Sequence, residues 1–443
     1  SMHLKKDEIK NPCLDYIDNI IFSPPGATFT AGGTTYTEFS TVRTKFLSGE
    51  ISEENLKRGL IDALNVLLEP VRKHFTIDEN AKNLLALVQQ YKQEAKTEVA
   101  EKVVRRLNLV ELDKVPAGSH LVFSPVPNVS PTLQEAVDTL ALLHKAGDKP
   151  AVLFLSDWSA RVCNACDADQ KGIDAYFKIF IASLKALDPS LMEKVQIIYQ
   201  SEAILADPSN YWISVINVGR HFMLNDIMGS EMKDSDGAGW VVARLMKTAD
   251  VAAVEPASVA FVDATDESVV MTKLINSFFE NKLPGLLQPQ VTSGMAPSLL
   301  LQQRESAAHK TESDEYYLLD DPKVHGKSKM KKAFCEPGNV SFCPPIAIAS
   351  AFSFGLADGG EGEMKISRLP ENGGDVVFKS RAELEAAFGQ GEQVLHPGDL
   401  KGAVIPIMVS TLDKVAAGLK TDGDIVKASK TLKALAKKLA KKK

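Results

Sequence analysis

The sequence predicts an α/β protein, with a parallel, doubly wound sheet in the middle of the chain and mainly helical segments on either side. Two observations carry this prediction. Short apolar strands alternate with helices between about 118 and 263, a pattern typical of parallel βαβ units. In addition, two segments near the ends of the chain share one strand–helix–helix pattern, which indicates a duplicated module.

The length and composition allow several domains with real cores. The chain has 443 residues, of which 44% are hydrophobic, and this length suggests about two to four domains. No run approaches the roughly 18 apolar residues of a membrane span, and the first residues have no apolar h-region, so we expect neither a span nor a secretory signal. Five cysteines, an odd number, favour a reducing compartment and a cytoplasmic protein.

Apolar runs and helical spacing define the elements of the predicted sheet domain. The run 150–155 is apolar throughout, as expected of a buried parallel strand. Pro131 and Thr132 favour the start of a helix, and Gly147 favours its end. The predicted strands are 118–124, 150–155, 195–199 and 259–263, and the predicted helices are 132–146, 174–187 and 209–228.

The duplicated segments are 32–75 and 373–419. Each has a Gly-Gly pair, a β-prone stretch, an amphipathic helix, a Gly-Glu pair and a Leu-Lys pair that opens a longer helix. The matched anchors are Gly32-Gly33 with Gly373-Gly374, Phe46 with Phe388, Gly49-Glu50 with Gly391-Glu392, and Leu56-Lys57 with Leu400-Lys401. A period of roughly 342 residues means that a whole module was duplicated, with each copy at the C-terminal end of its module.

The duplication predicts the domain boundaries. The second module would fill 98–443, and the first would need roughly 240 residues before residue 1, so we expect the chain to begin inside module one. The predicted domains are 1–97, 98–330 and 331–443, and the order of the linker 92–117 is left open. The apolar face of the helix predicted at 55–75 should then lack part of its partner surface, or find it in module two.

Five stretches occur in an order and at a spacing that together resemble the eukaryotic and archaeal type of tyrosyl-tRNA synthetase. They are 151–160 (AVLFLSDWSA), 210–220 (NYWISVINVGR), 245–251 (LMKTADV), 331–339 (KKAFCEPGN) and 396–401 (HPGDLK). The tandem arrangement resembles the double-length, pseudo-dimeric form of kinetoplastid protozoa, and the resemblance covers nearly the whole chain. It implies a class I synthetase Rossmann-like sheet domain flanked by two mainly helical domains of the anticodon-binding type.

The resemblance implies that the catalytic site of this segment is degenerate. Class I synthetases stabilise charge on the phosphates of ATP with a His-x-Gly-His turn and a KMSKS loop. The segment 124–132 contains no histidine or glycine, only Lys310 remains near 307–312, and 263–267 lacks the glycine and glutamine of the tyrosine-binding element. We therefore expect no catalytic residues and no cofactor in this chain, although the family uses ATP, Mg²⁺ and tyrosine.

Other signals favour structural roles. The lysine-rich stretch 327–332 has the composition of a KMSKS loop, but it leads into KAFCEPGN, and we interpret it as a solvated basic face. Asp157 and the pair Tyr211-Trp212 are expected to make hydrogen bonds at the sheet edge and to pack in the core. Cys163 and Cys166 form a lone CxxC without a second ligand pair, so no metal site is predicted.

The resemblance assigns anticodon recognition to Asp399, with His396 and Pro397 lining the same turn. A carboxylate can accept hydrogen bonds from the N1–H and N2–H₂ edge of the first anticodon base, a guanine. The family commonly has a stacking aromatic before the second Gly-Gly pair, where this chain has Asn372. Alternatively, Asp399 only caps its helix. The first copy reads Ser-Glu-Glu-Asn at 52–55, and we predict that it reads no anticodon.

The C-terminal segment 420–443 is strongly basic. It has nine lysines and two aspartates, and because the chain carries −6 in total, the remaining residues carry −13. Four apolar residues lie at helical spacing: Val426, Leu432, Leu435 and Leu439. Lys433, Lys437 and Lys438 are predicted to contact tRNA phosphates, although the segment could equally be a frayed, solubilising end.

Two classes of function remain open. The first is the half of a tyrosine–tRNA ligase that recognises tyrosine tRNA and completes a pseudo-dimer with the catalytic first-half domain. The second is a non-catalytic structural or interaction module that only stabilises its partner half. Neither predicts a membrane or DNA as a partner.

Overall fold

The computed structural model describes residues 11–105, 115–116, 118–229, 237–262, 266–282, 288–292, 296–303, 311–355, 362–389 and 395–441. The chain divides into two compact units, Ser1–Val99 and Ala100–Lys443.

The first unit is a short β-hairpin packed on helices. Its elements are α1 (Pro12–Tyr16), β1 (Phe29–Ala31), β2 (Thr34–Tyr36), α2 (Phe39–Ser48), α3 (Glu53–Ile77) and the beginning of α4 (Glu79–Arg105). The two strands pair antiparallel. Gly32 and Gly33 form the turn between them with φ of +59° and +81°, values that favour glycine. Phe29, Phe46 and Leu56 are buried in one small core.

The second unit is built on a five-stranded sheet in which all neighbouring strands are parallel. Its strands are β3 (His120–Phe123), β4 (Ala151–Leu155), β5 (Gln196–Tyr199), β6 (Ser258–Phe261) and β7 (Gln290–Thr292). Their order is β5-β4-β3-β6-β7. The chain therefore builds outwards from β3 in one direction and then returns to its other side. In such sheets, ligands bind at the carboxyl ends of the strands beside this switch point.

Helices cover both faces of the sheet. They are α5 (Leu133–His144), α6 (Asp157–Val162), α7 (Gln170–Leu187), α8 (Pro189–Met192), α9 (Gln200–Ala206), α10 (Pro208–Gly219), α11 (Leu224–Met228), α12 (Gly239–Val254) and α13 (Asp266–Lys282). Successive strand residues alternate between two cores. Val122 of β3 lies in the core that contains α5 and α7, whereas Leu121 and Phe123 lie in the core that contains α10, α12 and α13.

The C-terminal part of the second unit is mainly helical and shares the first of these cores. Its elements are α14 (Pro322–Lys332), α15 (Pro344–Ser353), β8 (Met364–Ile366), β9 (Val376–Phe378), α16 (Arg381–Gly389), α17 (Pro397–Gly418) and α18 (Gly423–Ala440). The long helix α17 packs against α14, α15 and α7, and α18 packs against α7. The approach of α18 is close, since a Cβ on Gly172 of α7 would lie 2.5 Å from the Leu435 side chain.

No single helix in the described ranges is long and apolar enough to cross a membrane. The pair α17 and α18 reaches that length and apolarity only together, and the two helices are bent by 112°.

The predicted α/β architecture is confirmed, although α6, α8, α9, α12 and α13 were not among the predicted helices and two further elements differ. The single helix predicted at 209–228 is wrong, because the chain leaves the helix after Gly219 and a new helix begins at Leu224. Asp226 starts that second helix by accepting a hydrogen bond from the Met223 N–H at 3.2 Å. The strand β7 was not predicted, because a single apolar residue, Val291, between polar neighbours gives no strand signal.

The two duplicated segments adopt the same fold. In each, an antiparallel two-stranded hairpin precedes a short helix and a long helix: β1, β2, α2 and α3 in the first copy, and β8, β9, α16 and α17 in the second. The register also agrees, since Phe29 faces Tyr36 and Met364 faces Phe378. Gly373 and Gly374 have positive φ, like the first pair.

The long helices of the two copies carry the same apolar stripe. Counted from Leu56 and Leu400, the matched positions are Leu56, Leu60, Leu64, Leu68, Val71 and Phe75 in α3, and Leu400, Val404, Met408, Leu412, Val415 and Leu419 in α17. All six in α17 are buried, but Leu68, Val71 and Phe75 are 43%, 52% and 37% exposed. This agrees with the prediction that the helix at 55–75 lacks part of its partner surface.

Candidate functional site

The segment after β3, where the family has its His-x-Gly-His turn, forms an ordinary helix start. Thr132 is the N-cap of α5, and its Oγ1 accepts the N–H of Glu135 at 3.2 Å, while the Glu135 carboxylate accepts the Thr132 N–H at 3.1 Å. This reciprocal pair is a capping box. Burial raises the pKa of Glu135 to about 7, and Asn128 and Tyr176 also donate to its carboxylate. The residues here cap a helix, as the Pro-Thr pair predicted.

The cleft at the carboxyl ends of β3 and β4 is nearly closed. It is lined by Pro125, Pro127, Ser159, Trp240 and Lys247, among others, and its cavity volume is about 10 Å³. A volume of this size holds about one water molecule, whereas small-molecule pockets are typically about 300–1,000 Å³. The part of the cleft that the described residues line is therefore too small for an amino acid or a nucleotide.

Three buried charges stand beside this cleft. Glu267 of α13 accepts hydrogen bonds from Arg244 of α12, with an Nη2–Oε2 distance of 2.6 Å, and from Lys247, with an Nζ–Oε1 distance of 3.3 Å. Although burial opposes ionisation, Lys247 and Arg244 hold the pKa of Glu267 below its usual value. Arg244 also donates to the carbonyls of Ile227 and Met228. The cluster is therefore a satisfied ion network.

Glu267 is the last residue of 263–267, the segment at which the resemblance predicts the tyrosine-binding element. Residues 263–265 of that element lie outside the described residues. Sequence reasoning missed Arg244 and Lys247 as members of a charge cluster, although Lys247 lies in the quoted stretch LMKTADV. A lysine inside an otherwise apolar helix was the available signal.

A second buried network lies behind the sheet edge, and it confirms the structural roles predicted for Asp157 and Tyr211. The Asp157 carboxylate accepts the backbone N–H of Ser201 at 2.8 Å. The Tyr211 hydroxyl donates to Asp250 at 3.0 Å, and the Gln200 amide donates to the other oxygen of Asp250 at 2.6 Å. Gln200 in turn accepts the Ser159 N–H. Burial raises the pKa of Asp250 to about 7.

The KMSKS-like region is described only in part. Lys310 lies outside the described residues, and Thr311 begins a turn closed on Asp314. The basic stretch 327–332 forms the second half of α14. The prediction of a fully solvated face is wrong for Lys329, which is buried and bonded to the Asp320 carboxylate and the Glu315 carbonyl, both at 2.7 Å. Its Nζ also lies over the Tyr317 ring, 4.6 Å from the ring centroid, which adds a cation–π contact.

The first turn of α17 presents the residues predicted to read an anticodon. His396 is the N-cap, and its Nδ1 accepts the Gly398 N–H at 3.0 Å. Pro397 follows as the first helical residue. The alternative that Asp399 caps the helix is therefore wrong, because His396 has that role. Asp399 is half-buried, and its carboxylate has no hydrogen bond or ion pair in the described part of the chain. Asn372 ends a short 3-10 turn, and its side chain lies outside the described residues.

In the first copy, the side chains of the same turn contact neighbouring residues of their own helix and hairpin. Ser52 is the N-cap of α3 and accepts the Asn55 N–H at 3.2 Å. Glu53 forms an ion pair with Lys57. Asn55 lies against the glycine turn of its hairpin, since a Cβ on Gly32 would be 3.1 Å from the Asn55 amide nitrogen. This copy therefore has a neutral amide where the second copy has a half-buried carboxylate.

The basic C-terminal segment is a packed helix. Ala428, Leu432 and Leu435 of α18 are buried, so the alternative of a frayed end is wrong for 423–440. Three lysines of the predicted tRNA backbone set are exposed on this helix: Lys433, Lys437 and Lys438. Their role toward RNA stays a prediction.

The CxxC pair has the character of structural cysteines. Cys166 is buried and Cys163 is half-buried, and both are free thiols. Burial raises the pKa of each thiol to about 11, which makes thiolate chemistry at neutral pH unfavourable. Among the described residues, no group of three or more His, Cys, Asp or Glu side chains could hold a metal ion.

A parallel five-stranded sheet with a switch point beside β3, followed by a helical module, is the architecture of the class I tyrosyl-tRNA synthetases found among solved structures. No protein-family model matches the chain. A Leishmania major tyrosyl-tRNA synthetase in complex with tyrosinol is 26% identical, with a TM-score of 0.57, over 98% of this chain and 60% of that one. The Pyrococcus horikoshii tyrosyl-tRNA synthetase shares the fold at 19% identity, with a TM-score of 0.58, over 75% of this chain and 99% of that one.

The sequence relatives agree. The cytoplasmic tyrosine–tRNA ligase 2 of Arabidopsis thaliana is 24% identical over 93% of this chain and 60% of its own length. The tyrosine–tRNA ligase of Thermococcus kodakarensis is 26% identical over 62% of this chain and 79% of its own length. The chain is thus a homologue of tyrosyl-tRNA synthetases of the eukaryotic and archaeal type. It spans about 60% of the length of the plant and Leishmania proteins.

Proposed function

We propose that the second unit is the tRNA-recognising, non-catalytic half of a cytoplasmic tyrosine–tRNA ligase. The observation that carries this proposal is the first turn of α17. His396 satisfies the helix start, which leaves the Asp399 carboxylate without a protein partner in the described residues. A half-buried carboxylate of this kind can accept the N1–H and N2–H₂ groups of an unstacked guanine. His396 and Pro397 would line the same base.

The proposal that this unit is non-catalytic rests on the cleft at the carboxyl ends of β3 and β4. In support, the described lining of the cleft encloses only about 10 Å³, and Lys247, which lines it, is engaged in the ion network with Arg244 and Glu267. Aminoacylation, with its ATP, Mg²⁺ and tyrosine, would then belong to a catalytic partner half. This unit would position the tRNA. Correct orientation of the reactants increases the rate of aminoacylation without a chemical step by residues of this unit.

The exposed stripe on α3 supports a catalytic partner half. In the second copy, the equivalent stripe is covered by α7, α14 and α15. We infer that the sheet domain of module one, which would belong to the catalytic half, covers Leu68, Val71 and Phe75 in the same way. The cover would differ in detail. The end of α17 approaches α7 through Gly418, whose added Cβ would lie 2.7 Å from Ala186, whereas α3 has His74 at that position.

The test is a binding cycle with tyrosine tRNA and the same tRNA carrying adenine as the first anticodon base. Adenine lacks the N1–H and N2–H₂ donors that the proposed contact needs. Asp399→Ala should weaken binding of the unaltered tRNA by about 5- to 150-fold, which corresponds to about 1–3 kcal/mol for a good base contact. It should leave the adenine form unchanged. Asp413→Ala, which removes an exposed carboxylate from the same helix, is the matched control.

Equal affinities of the wild type and Asp399→Ala for both tRNAs would overturn the proposal and support a purely structural module. The absence of catalysis has its own readout. ATP–pyrophosphate exchange by this chain alone should stay at background, and exchange above background would contradict a silent site.

A further inference from the structure

A basic site separate from the Asp399 turn lies between α14, α18 and the turn before α5. There the structure has an open cavity of about 520 Å³, within the range of small-molecule and phosphate-binding sites. Its charged and aromatic lining includes Lys332 and His325 of α14, Lys433 and Lys437 of α18, and Tyr317. We call it the lysine cavity. It joins the two basic segments of the sequence, which are about 100 residues apart.

The lysine cavity has an excess of positive charge. Lys332, Lys433 and Lys437 are exposed, and none has an ion pair in the described part of the chain. Of the acidic residues that line it, Asp320 is already paired with Lys329, with an Nζ–Oδ2 distance of 2.7 Å. Glu312 on the rim is the other acid. Three amines therefore face one space with a single unneutralised carboxylate.

Helix dipoles do not account for this arrangement. Lys332 and Lys437 lie in the last turns of their helices, where cations are favourable. Lys433 lies in the interior of α18, one turn before Lys437, and it faces the same cavity. Like charges around a cleft focus an electric field that attracts anions. The surrounding chain is acidic, with −13 outside the basic C-terminal segment, so this positive field is local.

The lysine cavity is connected to the proposed anticodon site. The Nζ of Lys401, in the first turn of α17, donates to the carbonyls of Ala333 at 2.6 Å and Lys331 at 3.3 Å. These carbonyls flank Lys332, and Lys401 is two residues after Asp399. The end of α14 and the start of α17 are thus held together. An RNA bound at Asp399 would therefore lie at the junction of α14 and α17, where Lys332 lines the cavity.

We propose that the lysine cavity binds phosphate groups of an RNA backbone, through Lys332, Lys433 and Lys437. The choice of RNA over a free phosphate compound rests on the proposed function. The inference adds Lys332 to the predicted contacts and removes Lys438, which does not line the cavity.

The experiment compares two triple variants of the full chain in titrations with tyrosine tRNA over a range of salt concentrations. The test variant is Lys332→Gln, Lys433→Gln and Lys437→Gln. The control variant, Lys420→Gln, Lys427→Gln and Lys430→Gln, removes the same charge from exposed lysines of the same region that do not line the cavity. Each phosphate contact contributes about 0.7–0.9 to the slope of log affinity against log salt. The test variant should therefore show a slope shallower by about 2 and a loss of affinity of at least about tenfold, and the control a change of less than about 1.

Equal slope changes in the two variants would overturn the assignment, because they would show general charge attraction. An unchanged slope in the test variant would overturn it too. Inorganic pyrophosphate provides a further arm. If pyrophosphate binds the wild type but not the test variant, while the salt slope for tRNA is the same in both, the site serves a small phosphate compound and the RNA assignment is wrong.

The result is separable from the proposed function. With the adenine form of the tRNA, the slope difference between the two triple variants should persist. If it persists while Asp399→Ala shows no base discrimination, the lysine cavity stands and the proposed anticodon site fails. If Asp399→Ala behaves as expected and the slopes are equal, the opposite holds.

Discussion

The two copies of the hairpin–helix–helix segment have the same fold and different first turns. In the first copy, Ser52 caps α3 and the matched position is Asn55. In the second, His396 caps α17 and the matched position is Asp399. The residue after each, Leu56 or Leu400, is completely buried. The comparison teaches that the fold depends on the buried leucine and the cap, which both copies have. The side chain before that leucine is free to differ, and it is a carboxylate with two acceptor oxygens in the second copy and an amide with one in the first.

The copies differ again in what covers their long helices. The apolar stripe of α17 is buried along its whole length, while that of α3 is buried only near its start. Both stripes have the same helical spacing. The difference therefore lies in the neighbouring helices and not in the sequence of the stripe.

The largest expected effect is at the matched positions Leu412 and Leu68, which differ in burial. Leu412→Ala should destabilise the second unit by about 2–5 kcal/mol, because it opens a cavity in a packed core. Leu68→Ala should change stability by less than about 0.5 kcal/mol, because that side chain is 43% exposed. Urea unfolding followed by tryptophan fluorescence reports the second unit alone, since Trp158, Trp212 and Trp240 all lie there. Hydrogen exchange of peptides from 39–77 reports the first unit. Equal losses of stability in Leu412→Ala and Leu68→Ala would mean that the apolar stripe of α3 is buried, contrary to the structure.

The second expected effect is a pH dependence of the free energy of unfolding in the second unit. Burial raises the pKa of Asp250 to about 7, above its ordinary value of about 3.9. Between these values the folded state keeps a proton that the unfolded state has released. The free energy of unfolding should therefore fall as pH rises from about 4 to about 7 and then level off.

The Asp250 contribution amounts to at most about 4 kcal/mol, at 1.36 kcal/mol per pKa unit. Asp250→Asn should reduce this slope in the tryptophan signal, and the slope that remains should come from other buried acids such as Glu135, whose pKa is also about 7. Leu68→Ala should leave the profile unchanged. A slope in Asp250→Asn as steep as that of the wild type would show that Asp250 does not hold the extra proton.

A third effect tests how closely each hairpin lies on its long helix. Gly59 of α3 faces β1, and an added Cβ would lie 2.3 Å from the Thr30 carbonyl oxygen. Gly59→Ala should destabilise the first unit by about 1–3 kcal/mol through overpacking. The matched position in α17 is already Ala403, and Ala403→Gly should cost only about 1 kcal/mol from helix propensity. Hydrogen exchange of 29–36 against 364–378 would show the contrast, and a neutral Gly59→Ala would contradict the close approach.

The sequence was sufficient for four of the five strands of the sheet and for the repeat, because apolar periodicity and ordered anchors are local signals. The strands predicted at 150–155 and 195–199 agree with β4 and β5 within one residue. The resemblance to tyrosyl-tRNA synthetases, drawn from five short stretches, is confirmed by relatives and solved structures.

What could not be predicted depends on contacts between distant residues. The ion network joins Arg244 and Lys247 to Glu267 across two helices, and the burial of Lys329 depends on Asp320 in the preceding turn. The lysine cavity forms only because α18 folds back beside α14. In each case the charge is visible in the sequence, but its partner and its degree of burial are set by packing.

The most direct test of the central claim measures hydrogen exchange in both copies within one sample, with and without saturating tyrosine tRNA. The claim is that the second copy reads the anticodon and the first does not. We expect tRNA to slow amide exchange in peptides covering 395–402 and to leave peptides covering 51–58 unchanged. Protection of 51–58 equal to or greater than that of 395–402, or no protection of 395–402 at saturation, would contradict the claim.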